Sequence, residues 1–348
     1  MKKLVRKTAV FLTAAVMMIS MMGVQAFADD SYANTAADKS VTAMQSFTFE
    51  SKLSVPADTK VPDVTIGYTI GGKGDSVSGR VAGPAGVTVG NATFSKDDTA
   101  SDGYVAKSVT VTIPANTFNT VGIYRYEITQ SIPADKGVTA ASPAVQYLDV
   151  YVQNGTSGLE VSYFVLYNIK DSAVVKTAGF ENRYNSHKLT VTKEVQGAQG
   201  DRTKAFSFPI TITNNGAEVQ KEYSYKIISG SQTEAGTFTS GTSQTVQLKH
   251  GDSIEITGLT AQDTYTVGEE TVSDYTTTYK IGEAAAAAYT DALAGSITAD
   301  TQITFINSKE GGVPTGLIMS IMPYALMIVF AVAATAVLFR RKRTRFEK

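Results

Sequence analysis

The sequence has no cysteine, no tryptophan and only two histidines among 348 residues. Without cysteine there is no disulfide, no thiol nucleophile and no cysteine-ligated metal. His187 and His250 both lie in polar, turn-like stretches, and no Ser/His/Asp set, metal-spaced cluster or phosphate-binding loop accompanies them. The composition therefore argues against an enzyme, and it implies no cofactor and no metal.

A long helical period is also missing from most of the chain, and short alternating segments replace it. "SVTVTI" (108–113) and "FSFPITIT" (206–213) alternate apolar and polar residues, and 147–165 is typical of a hairpin with Asn154-Gly155 in its turn. Many short strands at this spacing predict β-sandwiches. The exception is the alanine-rich "EAAAAAYTDALAG" (283–295), which predicts a short helix.

The two ends of the chain are basic and apolar. Residues 1–28 are typical of a secretory signal peptide, with a basic start, an apolar run and the small-x-small site Ala26-Phe27-Ala28. An uncleaved anchor is the alternative, although the acidic pair after the site favours cleavage. Residues 317–339 predict a transmembrane helix about 34 Å long, and the basic tail 340–348 predicts that the bulk of the chain faces outside.

The formal net charge of -1 hides an acidic middle, because basic residues are concentrated in the leader and the tail. An acidic exported region argues against nucleic acid as a partner. A break near "RYNSHKLT" (183–190) divides this region into two predicted domains, 46–185 and 186–309.

Three predicted strands of the second domain each place one polar residue on an apolar face. Strand parity puts Lys193, Glu269 and Asn307 among core residues. Burying a lone charge costs several kcal/mol unless it is paired or neutralised, so such residues need a partner or a neutral form. The alternatives are a lysine that reaches solvent and an asparagine in a solvated turn, and Glu270 competes with Glu269 as the relevant acid.

Several stretches together resemble one family, the Gram-positive sortase-assembled major pilins with Cna B-type domains. The matching stretches are "GVPTG" before the apolar span, "TVGIYRYEI", "YLDVYV" and "FENRY" in the first domain, and "QLKHGDSIEITGLTAQDTYTVGEE" and "ITFIN" in the second. The resemblance implies an all-β fold of two tandem immunoglobulin-like (Cna B-type) β-sandwich domains.

The C-terminal region 310–348 resembles a sortase sorting signal with the motif Val313, Pro314, Thr315 and Gly316. The resemblance implies that a sortase cysteine attacks the carbonyl of Thr315 and cleaves before Gly316. Pro314 holds the segment extended, and Gly316 leaves room for the thiolate. The motif departs from the common Leu-Pro-x-Thr-Gly and resembles pilin substrates of dedicated sortases.

The resemblance also implies internal isopeptide bonds between lysine and asparagine. In the second domain it pairs Lys193 with Asn307 and makes Glu269 the promoting acid. In the first domain, Ser51 and Gln130 occupy the expected lysine and glutamate positions. The substitute trio there is Lys52, Glu127 and Asn182, although Lys52 and Glu127 have the outward parity.

These features together predict a structural subunit of a sortase-polymerised pilus on a Gram-positive cell wall, made as a membrane-inserted precursor. Lys176 is the predicted inter-subunit lysine, with Lys170 as the substitute. The implied partners are a membrane-bound sortase, other pilin subunits, and peptidoglycan or its precursor. The alternative is a singly anchored adhesin or minor pilin that binds a host surface ligand.

Overall fold

A computed structural model of the chain describes residues 40–75, 78–170, 173–216 and 221–311, with single residues and short pieces between 324 and 335. The predicted signal peptide, the sorting motif and the basic tail lie outside these residues. Among the residues described, no helix is long and apolar enough to cross a membrane.

The first half of the described chain is built from strands and one short 3-10 helix. These elements are β1 (Gln45–Ser54), β2 (Val64–Gly72), β3 (Val81–Ala82), β4 (Thr88–Val89), β5 (Ala92–Phe94), β6 (Tyr104–Ile113), β7 (Gly122–Ser131), the 3-10 helix (Ala134–Lys136), β8 (Val138–Ala140), β9 (Val145–Asn154), β10 (Leu159–Lys170), β11 (Ala173–Lys176) and β12 (Gly179–Tyr184). They form one sheet in the order β4-β6-β1-β12-β8 and a second in the order β11-β10-β9-β7-β2-β5, in which β3 pairs with β7.

The second half is built from strands throughout its described part. They are β13 (His187–Gln196), β14 (Phe206–Asn214), β15 (Glu222–Ser229), β16 (Gln232–Thr239), β17 (Ser243–Leu248), β18 (Ser253–Leu259), β19 (Asp263–Val267), β20 (Thr276–Ile281), β21 (Ala287–Ala288), β22 (Leu293–Ser296) and β23 (Thr301–Ser308). One sheet has the order β16-β15-β18-β13-β23-β20-β21, and the other has the order β17-β14-β19-β22.

Each half encloses its own hydrophobic cluster. The first cluster runs along the chain from Val41 to Tyr184 and the second from Leu189 to Phe305, on either side of the predicted boundary near residue 185. Period-two alternation produces both clusters, because every second residue of β13 and β14 points inward. The predicted all-β fold is confirmed.

The first and last strands of each half are parallel neighbours. β1 pairs with β12 in the first half, and β13 pairs with β23 in the second. Parallel neighbours need a long connection, and here the rest of each domain is that connection. The two ends of each domain therefore lie side by side, which places residues far apart in sequence within reach of each other.

The predicted helix over 283–295 is wrong. The segment contains β21, which pairs with β20, and β22, which pairs with β19. Its backbone groups therefore bond to the edges of two different sheets, and this pairing overrides the helix propensity of alanine. The segment crosses from one sheet to the other beside the end of β19.

Candidate functional site

Lys193, Glu269 and Asn307 meet in the core of the second domain. Lys193 points inward from β13, Asn307 points inward from β23, and Glu269 lies two residues after β19 in the facing sheet. The exposed fractions of the three residues are 0%, 5% and 0%, respectively. Strand parity alone accounts for the inward direction of Lys193 and Asn307.

The three side chains are joined through the carboxyl group of Glu269. The Lys193 Nζ atom lies 3.1 Å from Glu269 Oε1 and 3.2 Å from Oε2. The Asn307 Nδ2 atom donates to Glu269 Oε1 at 2.5 Å. One carboxyl group therefore contacts both an amine and a carboxamide, which are the reacting groups of an amide exchange.

The walls of this site are aromatic. Lys193 Nζ lies 4.4 Å from the ring centre of Phe206 and 5.9 Å from that of Phe208. Phe208 packs edge-on against Phe305, with 5.2 Å between ring centres. Phe305 is also the residue directly opposite Lys193 on β23. Such walls exclude water, so they penalise charge on any group inside.

Burial shifts both ionisable groups toward their neutral forms. It lowers the pKa of Lys193 from 10.5 to about 8, although the charge of Glu269 acts in the opposite direction. Burial also raises the pKa of Glu269, and here Lys193 and the Asn307 amide act in the opposite direction. A neutral amine is a nucleophile and a neutral carboxyl group can donate a proton, so both shifts favour amide chemistry.

The carbonyl oxygen of the Asn307 side chain has no hydrogen-bond partner among the described residues, although it is buried. The amide nitrogen and oxygen exchange places when the side-chain amide rotates by half a turn. After that rotation, a protonated Glu269 would donate to the carbonyl oxygen and polarise it. Glu270, the alternative acid, is exposed, whereas Glu269 is buried and contacts both Lys193 and Asn307.

The corresponding position in the first domain holds different side chains. Ser51 lies opposite Phe180 and Asn182 lies opposite Leu53 on the parallel pair β1 and β12. This is the same offset as in the second domain, where Lys193 lies opposite Phe305 and Asn307 opposite Val195. Ser51, Gln130 and Asn182 are all buried. The amide atoms of Gln130 and Asn182 lack partners within the described part of the chain.

The substitute trio of the first domain does not come together. Lys52 is half-exposed and pairs with Glu50 at 3.2 Å. Glu127 is also half-exposed and pairs with Lys73 at 3.6 Å. Only Asn182 of the three is buried. Successive residues of a strand point to opposite faces, so β1 directs Ser51 inward and Lys52 outward, with no bulge between β1 and β12 to change this.

A second buried lysine and carboxylate were not predicted from the sequence. Lys221 Nζ lies 2.7 Å from Asp263 Oδ2, and Asn214 Nδ2 donates to Asp263 Oδ1 at 2.7 Å. Tyr223 and the backbone and hydroxyl of Thr260 also donate to this carboxylate. Both oxygens of Asp263 thus accept hydrogen bonds, so we interpret this cluster as structural. Asn214 is the last residue of β14 and Lys221 directly precedes β15, so neither lies within the apolar alternation of a strand.

The predicted inter-subunit lysine lies at the edge of a sheet. Lys176 is exposed and ends β11, which is the outermost strand of its sheet. It lies opposite Tyr167 of β10. The side chain of Lys170 and the motif Val313–Gly316 lie outside the part of the chain that the structure describes.

The fold and this site define an all-β protein with two hydrophobic cores and a buried Lys–Glu–Asn cluster joining the ends of the second domain. Residues 187–309 match a family model described as a domain of unknown function, DUF7601. The chain is 29% identical to a protein named "Pilin" from Streptococcus pyogenes serotype M1 over 253 residues, which are 65% of this chain and 69% of that one. It is 33% identical over 135 residues to the pilus tip adhesin Cpa of the same species, covering 38% of this chain and 18% of the adhesin.

Solved structures show the same fold. The crystal structure of the major pilin from Streptococcus pyogenes superposes with a TM-score of 0.56 at 22% identity, covering 76% of this chain and 99% of that one. The T-13 major pilin of the same species superposes with a TM-score of 0.51 at 22% identity, covering 76% and 98%. The resemblance to major pilins inferred from sequence is therefore confirmed.

Proposed function

We propose that this chain is a shaft subunit of a sortase-polymerised pilus on a Gram-positive cell surface. Its similarity to a streptococcal pilin and its major-pilin fold support the role of a pilus subunit. The observation that carries the proposal further is the contact of Lys193 and Asn307 with Glu269. A fibre subunit benefits from a covalent tie between its first and last strands, because tension pulls those strands apart.

The cross-link that we propose forms once and joins Lys193 to Asn307. The neutral Nζ atom of Lys193 attacks the Cγ atom of Asn307 while the protonated Glu269 donates to the amide oxygen. Glu269 then takes a proton from Nζ and returns one to the departing Nδ2. The Nζ–Cγ bond forms, the Cγ–Nδ2 bond breaks, and one ammonia leaves, so Glu269 ends as it began.

Polymerisation is a separate reaction, in which a sortase would join the sorting signal of one subunit to an exposed lysine of another. The sortase thiolate attacks the carbonyl carbon of Thr315, and the amine of Gly316 leaves. The amine of Lys176 on another subunit then attacks this thioester, which forms an amide and releases the thiolate. An exposed place on an edge strand gives Lys176 the access that this step needs. For the last subunit, peptidoglycan or its precursor would supply the amine instead.

The test is a covalent ladder on cells that make the chain and its sortase. Boiling in SDS leaves covalent polymers intact, so the wild-type chain should give a ladder of masses and Lys176→Ala should give monomer. Lys249→Ala is the matched control, because Lys249 is also exposed but lies in the second domain. A ladder that persists in Lys176→Ala would refute the assignment of that lysine.

The alternative is a wall-anchored adhesin or minor pilin that is attached singly. The match to a pilus tip adhesin over 135 residues supports this alternative. It predicts a single mass after wall digestion, in the wild-type chain and in Lys176→Ala alike. In either case we propose a structural or adhesive protein rather than an enzyme, since its only chemistry would be its own single cross-link.

A further inference from the structure

The alanine-rich segment 283–295 reaches the Lys193 site through Tyr289. It leaves β20, pairs briefly as β21, and then returns to the other sheet as β22. Tyr289 lies between β21 and β22, and its backbone nitrogen bonds to the carbonyl oxygen of Thr277 at 3.1 Å. This bond fixes Tyr289 where the segment passes from one sheet to the other.

The backbone of Glu269 lies just beyond the end of its strand pairing. The ladder between β19 and β22 stops at the pair Val267 and Leu293. On the other side, the backbone nitrogens of Gly268 and Glu270 bond to carbonyl oxygens of β14 at 2.9 Å. The N–H and C=O groups of Glu269 therefore point to the side where no strand remains, and a buried amide without a partner is costly.

Tyr289 takes the place of the missing strand. Its hydroxyl oxygen accepts a hydrogen bond from the backbone nitrogen of Glu269 at 2.8 Å. The same hydroxyl donates to the backbone oxygen of Glu269 at 3.3 Å. The ring of Tyr289 packs edge-on against Phe305, with 5.3 Å between ring centres, and Phe305 lies opposite Lys193. One side chain thus contacts the acid and the wall beside the amine.

We infer that Tyr289 is a positioning residue for the Lys193–Asn307 cross-link, since its hydroxyl fixes the backbone of Glu269 and its ring keeps water from the site. This inference rests on the cross-link proposed above. It gives the alanine-rich segment a role, because the segment carries Tyr289 to the backbone beside Glu269: a Cβ atom added to Gly268 would lie 3.5 Å from the Tyr289 hydroxyl and 3.7 Å from the Cβ atom of Ala292.

The test follows cross-linking in newly made full-length chains. A short pulse of cell-free synthesis is followed by a chase in buffers of different pH, on both sides of the value of about 8 for Lys193. Intact mass then reports the loss of ammonia with time. Tyr289→Phe keeps the ring and removes both hydrogen bonds, whereas Tyr289→Ala also opens the site to water.

We expect Tyr289→Phe to slow cross-linking by about five- to tenfold at every pH, as the loss of one or two hydrogen bonds would do. Tyr289→Ala should slow it more, because a wetter site raises the pKa of Lys193 and lowers that of Glu269, so fewer chains hold the neutral amine and the protonated acid together. Other titratable groups lie on the elements around Lys193. Glu194 of β13 raises the pKa of Lys193, and His250 and Asp252 lie in the turn before β18. They are unchanged in every variant.

Tyr275→Phe is the matched control. The Tyr275 hydroxyl accepts from the backbone nitrogen of Asp201 at 2.9 Å, and its ring packs edge-on against Phe206 at 5.5 Å. Tyr275→Phe therefore loses a hydrogen bond from a backbone nitrogen, as Tyr289→Phe does, but this bond does not involve Glu269. The cross-linking rate of Tyr275→Phe should match that of the wild type. Equal slowing in Tyr275→Phe and Tyr289→Phe, or no slowing in Tyr289→Phe, would overturn the role of Tyr289. A wild-type chain that never loses ammonia would instead refute the cross-link itself.

Discussion

Lys193 and Asn307 lie on parallel neighbouring strands, two register positions apart, and both reach the carboxyl group of Glu269. Lys193 is opposite Phe305, and Asn307 is opposite Val195. Almost the whole second domain lies between them in sequence, so a bond here would close its two ends.

Removing the cross-link should destabilise the second domain strongly. Closing a loop of this length limits the unfolded chain, and by analogy with a disulfide we expect Asn307→Ala to lower the free energy of unfolding by about 4 to 5 kcal/mol. Denaturant unfolding gives the free energy, and intact mass should show that the variant keeps its ammonia. A variant with wild-type stability would count against a covalent tie in the native chain.

The Asp263 cluster should behave as a structural ion pair. Asp263→Asn leaves Lys221 buried without its carboxylate, so we expect a loss of about 3 kcal/mol or more in unfolding free energy. The chain should still lose one ammonia, because the Lys193 site is untouched. Loss of two ammonia molecules from the wild-type chain, reduced to one in Asp263→Asn, would show instead that Lys221 also forms a bond.

Stability should depend on pH when Lys193 stays uncross-linked. In Asn307→Ala the buried Lys193 should keep its lowered folded-state pKa of about 8, against 10.5 in the unfolded chain. Between these values the unfolded chain binds more protons, so the free energy of unfolding should rise with pH across this window.

The comparison is the double variant Asn307→Ala, Lys193→Met, which retains all other titrating groups. The difference between the two pH profiles reports Lys193 together with its coupling to Glu269, whose pKa Lys193 lowers. A difference that stays constant from pH 8 to 10.5 would mean that burial does not lower the lysine pKa.

The first domain should accept a cross-link when its reacting groups are restored. Tyr68 lies opposite Gln130, as Phe208 lies opposite Glu269 in the second domain. The Tyr68 hydroxyl donates to Ser51 at 2.7 Å, so it occupies space that a lysine at position 51 would need. We therefore expect the triple variant Ser51→Lys, Tyr68→Phe, Gln130→Glu to lose a second ammonia through Asn182. Adding Asn182→Ala should return the loss to one ammonia. No second loss from a folded triple variant would show that equal register is not sufficient.

Much of the site could be predicted from strand parity. The alternation in "KLTVTKEV" and "ITFIN" directs Lys193 and Asn307 inward, and the same argument places Ser51 inward and Lys52 outward. Parity is a local property of two neighbouring residues, so it can be read without knowing which strands pair. Parity also placed Glu269 on the face of Tyr265 and Val267, but it left Glu270 open as the alternative acid, and only the contacts with Lys193 and Asn307 identified Glu269.

The order of residues is therefore enough to set the side to which each strand residue points, the all-β class, and the absence of cysteine chemistry. The tertiary structure alone decided which strands became neighbours, and this brought Lys193, Glu269 and Asn307 together. It also decided that the alanine-rich segment would pair with two sheet edges rather than form a helix, and that Tyr289 would bond to Glu269. The physical reason is range: side-chain alternation is set by adjacent residues, whereas strand pairing and partners for the last unpaired amides depend on segments distant in sequence.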